Sequence, residues 1–261
     1  MNVSLVLSTY NWPNALKLVF DSILQQSIFP NEIIIADDGS SLETKEIIDK
    51  YLALDIIPIY HVWQEDNGFR KSSVLNKAII SAKSPFIIQI DGDCILHKHF
   101  VKDHLKFIKP NTFVHGSRVL LNNSLTNEVL NGQKLMILLN FYKISNLFNS
   151  IYIPFLSTLL AITTKSLKGT RGCNFAFYKR DFINVNGYNE DIVGWGREDT
   201  ELSIRLMNNG IKQRRLKLSG IVYHLNHLTV SRSELQNNIE ILKKSLDKSV
   251  ILCENGCSKY L

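Results

Sequence analysis

Pro85-Phe86-Ile87-Ile88-Gln89-Ile90-Asp91-Gly92-Asp93 is the stretch on which the fold turns. Its apolar run, interrupted only by Gln89, has the length of a strand buried on both faces, and it stops abruptly at two carboxylates. Residues 3–8, 32–36 and 57–63 also read as strands, the first two near-continuously apolar. Between and after them, residues 14–26, 42–54, 72–82 and 99–108 have helical length and spacing. This alternation predicts an α/β fold with a mostly parallel sheet covered by helices on both faces.

Ligands of open α/β sheets sit outside the carboxyl ends of the strands. The polar signatures of this chain fall at those ends. The first strand runs into Ser8-Thr9-Tyr10-Asn11 and the second into Asp37-Asp38-Gly39-Ser40. The third runs into Glu65-Asp66-Asn67-Gly68-Phe69-Arg70-Lys71, and the fourth into Asp91-Gly92-Asp93. Carboxylates and glycines gathered on one edge mark a site.

Carboxylates at i and i+2 of an extended segment point to one side, and Gly92 between them permits close approach. A hard divalent cation takes oxygen ligands and can bridge the phosphates of a nucleotide diphosphate. Asp91 and Asp93 are therefore read as a metal or nucleotide station, against the alternative of a solvated turn. One carboxylate of Asp37-Asp38 could accept a hydrogen bond from a base or ribose, although an ordinary Asx turn explains the pair equally well. Tyr10 is open in the same way, between stacking on a base and capping the core. Arg70 or Lys71 would bring positive charge to a diphosphate, with Arg70 narrowly favoured as the bidentate donor.

A second station follows more than a hundred residues later, Gly194-Trp195-Gly196-Arg197-Glu198-Asp199-Thr200-Glu201. The glycines leave room for a ligand, and Trp195 offers a flat apolar face on which sugar C–H groups stack. Glu198 and Asp199 open an expected helix over residues 198–207, where acidic residues are also a plain helix-start signal. His224 closes another apolar run and is the best placed third metal ligand, with His227 second.

The 261 residues and net charge of +6 are those of an ordinary globular chain, large enough for one α/β domain with an appended subdomain. No compact basic stripe with interleaved aromatics appears, which disfavours nucleic acid. The first eight residues read as a strand, without the basic start of a signal peptide. Cys94, Cys173, Cys253 and Cys257 are scattered, so free thiols in a reducing compartment are expected and a zinc site is not. Residues 130–164 are apolar, but their densest part falls short of the ~20 residues that span a bilayer. A helical insertion packed on the core is expected there. The competing reading is an acceptor-side or membrane-contacting element flanked by Lys165, Lys168 and Arg171. Residues 231–248 read as a last helix.

Taken in order, Asp37-Asp38-Gly39-Ser40, Asp91-Gly92-Asp93, Gly172-Cys173-Asn174, Gly194-Trp195-Gly196-Arg197-Glu198-Asp199 and His224 resemble a bacterial family 2 glycosyltransferase of the GT-A fold. The C-terminal half is similar to the galactosyltransferase-type module of chondroitin-type polymerases and β-1,4-galactosyltransferases. The resemblance covers residues 2–228 and implies a single GT-A domain over residues 1–261. Within it, residues 1–118 form a nucleotide-sugar half, 119–170 an apolar helical insertion, 171–230 an acceptor and catalytic half, and 231–261 a helix and tail.

It further implies a UDP-sugar donor, a glycan or lipid-linked glycan acceptor, Mn²⁺ or Mg²⁺, and inversion at the anomeric carbon. Thr9, Tyr10, Asn11, Asp38, Arg70 and Asp91 would hold the donor nucleotide, and Asp93 and His224 the metal. Asp199 would be the general base, with Trp195 and Glu198 binding the acceptor. The setting implied is lipopolysaccharide or capsule assembly, in the cytoplasm or on the inner face of its membrane. Arg197 stands where the animal galactosyltransferases often have Gly. A sugar-phosphate nucleotidyltransferase would show a Gly-rich phosphate loop after the first strand, which Ser8–Asn14 is not. A catalytically silent glycan- or nucleotide-binding subunit would have no need of a base.

Overall fold

In the computed structural model, which describes residues 1–136, 140–167, 169–228 and 231–261, the first half of the chain folds as its periodicity indicates. Strands and helices alternate as β1 (Val3–Thr9), α1 (Pro13–Ile23), β2 (Glu32–Asp37), α2 (Leu42–Leu52), β3 (Ile59–Trp63), α3 (Lys71–Ser81) and β4 (Phe86–Asp91). There follow β5 (Cys94–Leu96), α4 (Phe100–Phe107), β6 (Thr112–His115), β7 (Ser117–Leu121), α5 (Asn123–Leu130), β8 (Ile144–Ser145), α6 (Pro154–Leu160) and β9 (Ile162–Thr164). The chain continues through β10 (Asn174–Tyr178), α7 (Lys179–Asn184), α8 (Glu198–Asn208), β11 (Lys212–Arg215), β12 (Ile221–His224) and α9 (Leu235–Asp247).

Side chains alternate across the central strands and build a core on each face of the sheet. Leu5, Leu7, Ile33, Ile35, Ile88 and Ile90 face Leu16, Phe20 and Phe100. Val6, Ile34, Ala36 and Ile87 face Val74, Leu75, Phe182 and Leu202 on the other side. That two-sided burial is why these strands read as unbroken apolar runs.

The main sheet has the order β3-β2-β1-β4-β10-β6-β11-β9. The strands from β3 to β4 are parallel, whereas β10 lies antiparallel to both β4 and β6. The sheet is therefore mixed, as the resemblance to the Rossmann-like GT-A fold implies, although the strand–helix alternation taken alone suggests a more parallel one. The reversal has a consequence for the site. Because Asn174 pairs with Ile90, the residues just before β10 arrive at the edge where β4 ends. Gly92 is needed at that edge: its N–H bonds to the Ser8 carbonyl at 2.7 Å, and an added Cβ would lie 2.9 Å from the same oxygen.

A smaller sheet, β5-β12-β7-β8, covers one end of the first and has its own core of Val119, Leu121, Leu125, Ile221 and Leu225. It sets the position of His224. Strand β5 follows directly on Asp93 and pairs with β12 so that Cys94 lies opposite His224. The four cysteines are buried and unbridged.

The stretch expected as a helical insertion differs from expectation. It contains helices α5 and α6, but also strands β7 and β9 and a two-residue strand, β8. Gly132 and Asn146 take positive φ, and Pro154 starts α6 afresh, so no long helix can run through it. Of the three basic residues expected to flank it, Lys165 is exposed, Arg171 lines the main cavity, and Lys168 lies outside the described residues. Among the described residues no helix is long and apolar enough to cross a membrane.

Helix α8 is anchored by a charge pair with no exposure to solvent. Arg205 Nε and Nη2 each donate to Glu201 at 2.7 Å, Nη2 also donates to the Gly187 carbonyl at 2.7 Å, and Nη1 donates to the Val185 carbonyl. Ser245 of α9 adds a hydrogen bond to Glu201 at 2.8 Å. Glu201→Gln should cost about 3–5 kcal/mol, because it leaves a buried guanidinium without its counter-charge. Glu201→Leu combined with Arg205→Met should recover much of that loss; urea denaturation of the three proteins checks both.

Candidate active site

A cavity of about 860 Å³ opens at the carboxyl ends of β1, β2 and β4 and is closed by the start of α8 and the end of β12. Thr9, Tyr10, Asp38, Asp91, Asp93, Trp195, Glu198, Asp199, His224 and His227 all line it. Two stations more than a hundred residues apart in sequence thus share one cleft.

Lys71 joins them. Its ammonium lies 2.6 Å from Asp91 and 4.0 Å from Glu198, at the first turn of α3. Burial works against the lysine's charge, but the two carboxylates outweigh it and hold the group above its usual range. Burial likewise works to raise Asp91, yet Lys71 prevails and keeps that carboxyl below its usual range. Ser8, opposite Asp91 in the β1–β4 register, donates to the same Asp91 oxygen at 2.9 Å. The choice between Arg70 and Lys71 comes out differently from the sequence preference. Arg70 Nη2 donates to the Glu65 carbonyl of its own loop at 2.5 Å, and it is Lys71 that lines the cavity.

The other donor-side candidates hold the loops together. Asp38 accepts from Gln64 Nε2 at 2.6 Å and from the Arg70 backbone N–H at 2.8 Å, and its burial pushes its carboxyl upward. Tyr10 donates to Asp66 at 2.8 Å, which leaves its half-exposed ring along the cavity wall. Asn11 is set back from the cavity at positive φ. It accepts from the Ser41 N–H at 2.7 Å and so ties the β1 and β2 loops together.

Asp93, His224 and His227 offer three ligand atoms that all lie within 4.8 Å of one another. Each imidazole Nε2 stands 3.5 Å from Asp93 Oδ2. Their Nδ1 atoms contact the backbone carbonyls of Leu225 and Leu228 at 2.7 and 2.8 Å. A carbonyl only accepts, so each Nδ1 must be the protonated nitrogen. In the neutral rings that leaves two Nε2 lone pairs and a carboxylate converging with no proton between them. Such a set fits a divalent cation, and the carbonyl contacts are the outer-sphere support that metal-binding histidines use. His227, placed second from sequence, is as close to Asp93 as His224. The short His224-Leu225-Asn226-His227 spacing was the only available signal.

In the same cleft, Asp199 accepts from the Gly172 N–H at 2.7 Å and from the Thr200 N–H at 2.6 Å. The antiparallel entry into β10 is what delivers Gly172. Glu198 is partly buried, and the desolvation this brings, together with the charge of Asp199, pushes its carboxyl up to about 7 against the opposing pull of Lys71. Trp195 is partly exposed, with the Arg232 guanidinium 5.0 Å from its ring centre. Gly194, Gly196 and also Arg197 have positive φ, so the arginine occupies a conformation that glycine adopts without strain.

The raised Glu198 gives a pH dependence of known sign. The folded chain keeps a proton that the unfolded glutamate releases near its ordinary value, so stability should fall as the pH rises from about 4.5 to about 7. Glu198→Gln should remove that decline; urea midpoints across this range, compared between the two proteins, measure it.

With the geometry in place, the chain can be compared with known proteins. The model of glycosyl transferase family 2 matches residues 4–184, and that described as the N-terminal domain of galactosyltransferase matches residues 163–228. A chondroitin synthase of Escherichia coli is 23% identical over 250 residues, covering 85% of this chain and 34% of the relative. A hyaluronan synthase of Pasteurella multocida is 26% identical over 235 residues, covering 80% and 23%. The chain thus spans about a third or less of the length of these two relatives. Among solved structures, GalNAc-T7 with UDP, GalNAc and Mn²⁺ superposes with a TM-score of 0.69 at 17% identity, covering 93% of this chain and 48% of that one. At that identity the likeness concerns the fold, which is the GT-A fold expected from sequence. Since the first family model alone takes in more than half of the chain and runs through both the Asp38 loop and the Asp91–Asp93 turn, the chain belongs to glycosyl transferase family 2.

Proposed function

We propose that this chain transfers a hexose or N-acetylhexosamine from a UDP-sugar to a hydroxyl of a glycan acceptor, with inversion at the anomeric carbon. The observation that carries this reading is the single cleft lined both by Asp93, His224 and His227 and by the Glu198–Asp199 pair. Residues 1–118 supply the donor half, with Thr9, Tyr10, Asp38 and Asp91 along the nucleotide. Residues 171–230 supply the acceptor half, with Trp195 and Glu198 holding the incoming sugar. Capsule or lipopolysaccharide assembly is the setting that the polysaccharide synthases among the relatives favour.

Asp93, His224 and His227 would hold the cation, and two imidazoles with one carboxylate suit Mn²⁺ better than Mg²⁺. When bound, the cation supplies positive charge beside the departing diphosphate. Asp199, kept in place by the Gly172 N–H, takes the proton of the acceptor hydroxyl as its oxygen attacks C1. The C1–O bond to the phosphate breaks, and its electron pair leaves with UDP. A single carboxylate base acting on the acceptor suits a single displacement, hence inversion. Lys71 holds Asp91 and Glu198 in their shared geometry through this step.

Calorimetric titration should show UDP binding that requires Mn²⁺ and is abolished by chelator, with GDP and CMP far weaker. His227→Ala should weaken the Mn²⁺ dependence as much as His224→Ala does. Asp199→Asn should retain UDP binding but lose about 10²–10⁴ in turnover, the range ascribed to a general base. Full turnover in that variant would remove Asp199 from the mechanism.

The same reading places the enzyme at an anionic lipid surface, and helix α6 supports this. Ser157 is its one buried residue, bonded to Ser219, while Phe155 and Leu159 are 76% and 75% exposed. Phe148 at 84% and Tyr142 at 68% extend the apolar face. Residues 129–180 contain no Asp or Glu, and Lys134 and Lys165 are exposed, which favours anionic lipid over an acid-rimmed protein partner. The protein should sediment with phosphatidylglycerol vesicles and not with phosphatidylcholine vesicles, and Phe155→Ser with Leu159→Ser should abolish the effect. Self-association in solution without vesicle binding would assign this face to a second copy instead.

A further inference from the structure

Two arginines on the cavity wall are not used by the chemistry above. Arg118, on β7, and Arg171, two residues before Cys173, both line the cleft. Arg118 Nε is shut off from solvent without a hydrogen-bond partner, and Nη1 has only the Cys173 thiol, at 3.9 Å. Among the described residues neither guanidinium has a carboxylate within 4.0 Å, whereas Lys71 in the same cleft has two. Burial, and after it the charge of Arg118, holds Arg171 below its usual range, and Arg215 adds to that repulsion. Like charges gathered in a cleft, one of them with a stranded donor, favour an anion placed between them.

Topology says which anion. The expected nucleotide loops follow β1 and β2, on one side of β4. Arg171 stands on the other side, just before β10, and Arg118 reaches the same place from β7 of the small sheet, its Nη1 3.9 Å from the thiol of Cys173, two residues after Arg171. Arg171 also adjoins Gly172, which holds Asp199. The arginines therefore flank the acceptor side of the proposed base, away from the nucleoside. A planar guanidinium presents paired donors suited to carboxylate or phosphate oxygens.

We infer that Arg118 and Arg171 form an anion subsite for the acceptor, which carries a carboxylate or phosphate group beside the hydroxyl that receives the sugar. This rests on the transferase reading above. The chemistry is shared by a uronic acid and by a phosphorylated sugar or lipid phosphate, and the probes separate the two.

The test titrates glucuronate, glycerol 3-phosphate, inorganic phosphate and glucose into the full chain saturated with UDP and Mn²⁺, by calorimetry. At least one anion should bind ten-fold or more tightly than glucose. Arg118→Gln and Arg171→Gln should each abolish that preference while leaving UDP affinity unchanged, and the unchanged UDP affinity reports an intact fold. Arg171→Lys should restore part of the binding, since it returns the charge without the fork. Preference for glucuronate assigns an acidic-sugar acceptor, and preference for either phosphate a phosphorylated one; both uphold the subsite. Glucose binding as well as the anions, or no anion binding at all, overturns it. A loss of UDP affinity in the Gln variants also overturns it and assigns the arginines to the donor diphosphate. Failure of UDP itself to bind the native chain would instead strike the proposed function, so the two failures are distinct.

Discussion

One partly buried ammonium group holds the two halves of the cleft together. Lys71 sits between Asp91, at the end of a strand laid down early in the chain, and Glu198, at the start of a helix laid down late. Without that positive charge three buried or half-buried carboxylates, Asp91, Glu198 and Asp199, would repel across a space of low dielectric. With it, Asp91 stays ionised beside the donor side while Glu198 is left near the edge of ionisation. Lys71 favours ionisation of both carboxylates, and it is burial and the charge of Asp199 that raise Glu198 against it. Helix α8 meets this demand because the Glu201–Arg205 pair clamps its underside to residues 185–187 and to α9.

The two sheets divide the labour. The parallel part of the main sheet brings Thr9, Asp38 and Asp91 to one edge, as any such sheet does. The antiparallel strand β10 then inserts Arg171 and Gly172 at that edge from the other direction. The small sheet returns the chain over the top, where the pairing of β5 with β12 sets His224 beside Asp93, and the Leu225 N–H bonds to the Asp93 carbonyl at 2.9 Å. The carboxylates, imidazoles and arginines of the cleft converge because three separate strand registers converge.

Much of the arrangement was legible beforehand. Unbroken apolar runs marked the buried strands, since a strand covered on both faces has no solvent side to interrupt its pattern. The polar residues at their ends marked the cleft. The middle of the chain was less legible. Residues 141–162 carry apolar side chains at high density, which reads as core, yet much of that surface faces outward. Composition measures how apolar a segment is, and cannot say which face is covered.

What the sequence by itself determined is the set of local choices: which segments are strand or helix, where the turns fall, and that carboxylates cluster at strand ends. Hydrophobic period and turn chemistry act over a few residues, so they are written in a few residues. What only the tertiary structure decided is the pairing across long separations. It brought Lys71 rather than Arg70 to the wall of the cleft, gave His227 the same distance to Asp93 as His224, and set Arg118 and Arg171 together with no carboxylate within 4.0 Å among the described residues. Those outcomes depend on strand register and on helix-start geometry, where a shift of one residue turns a side chain to the opposite face. No pattern within a short window encodes that register.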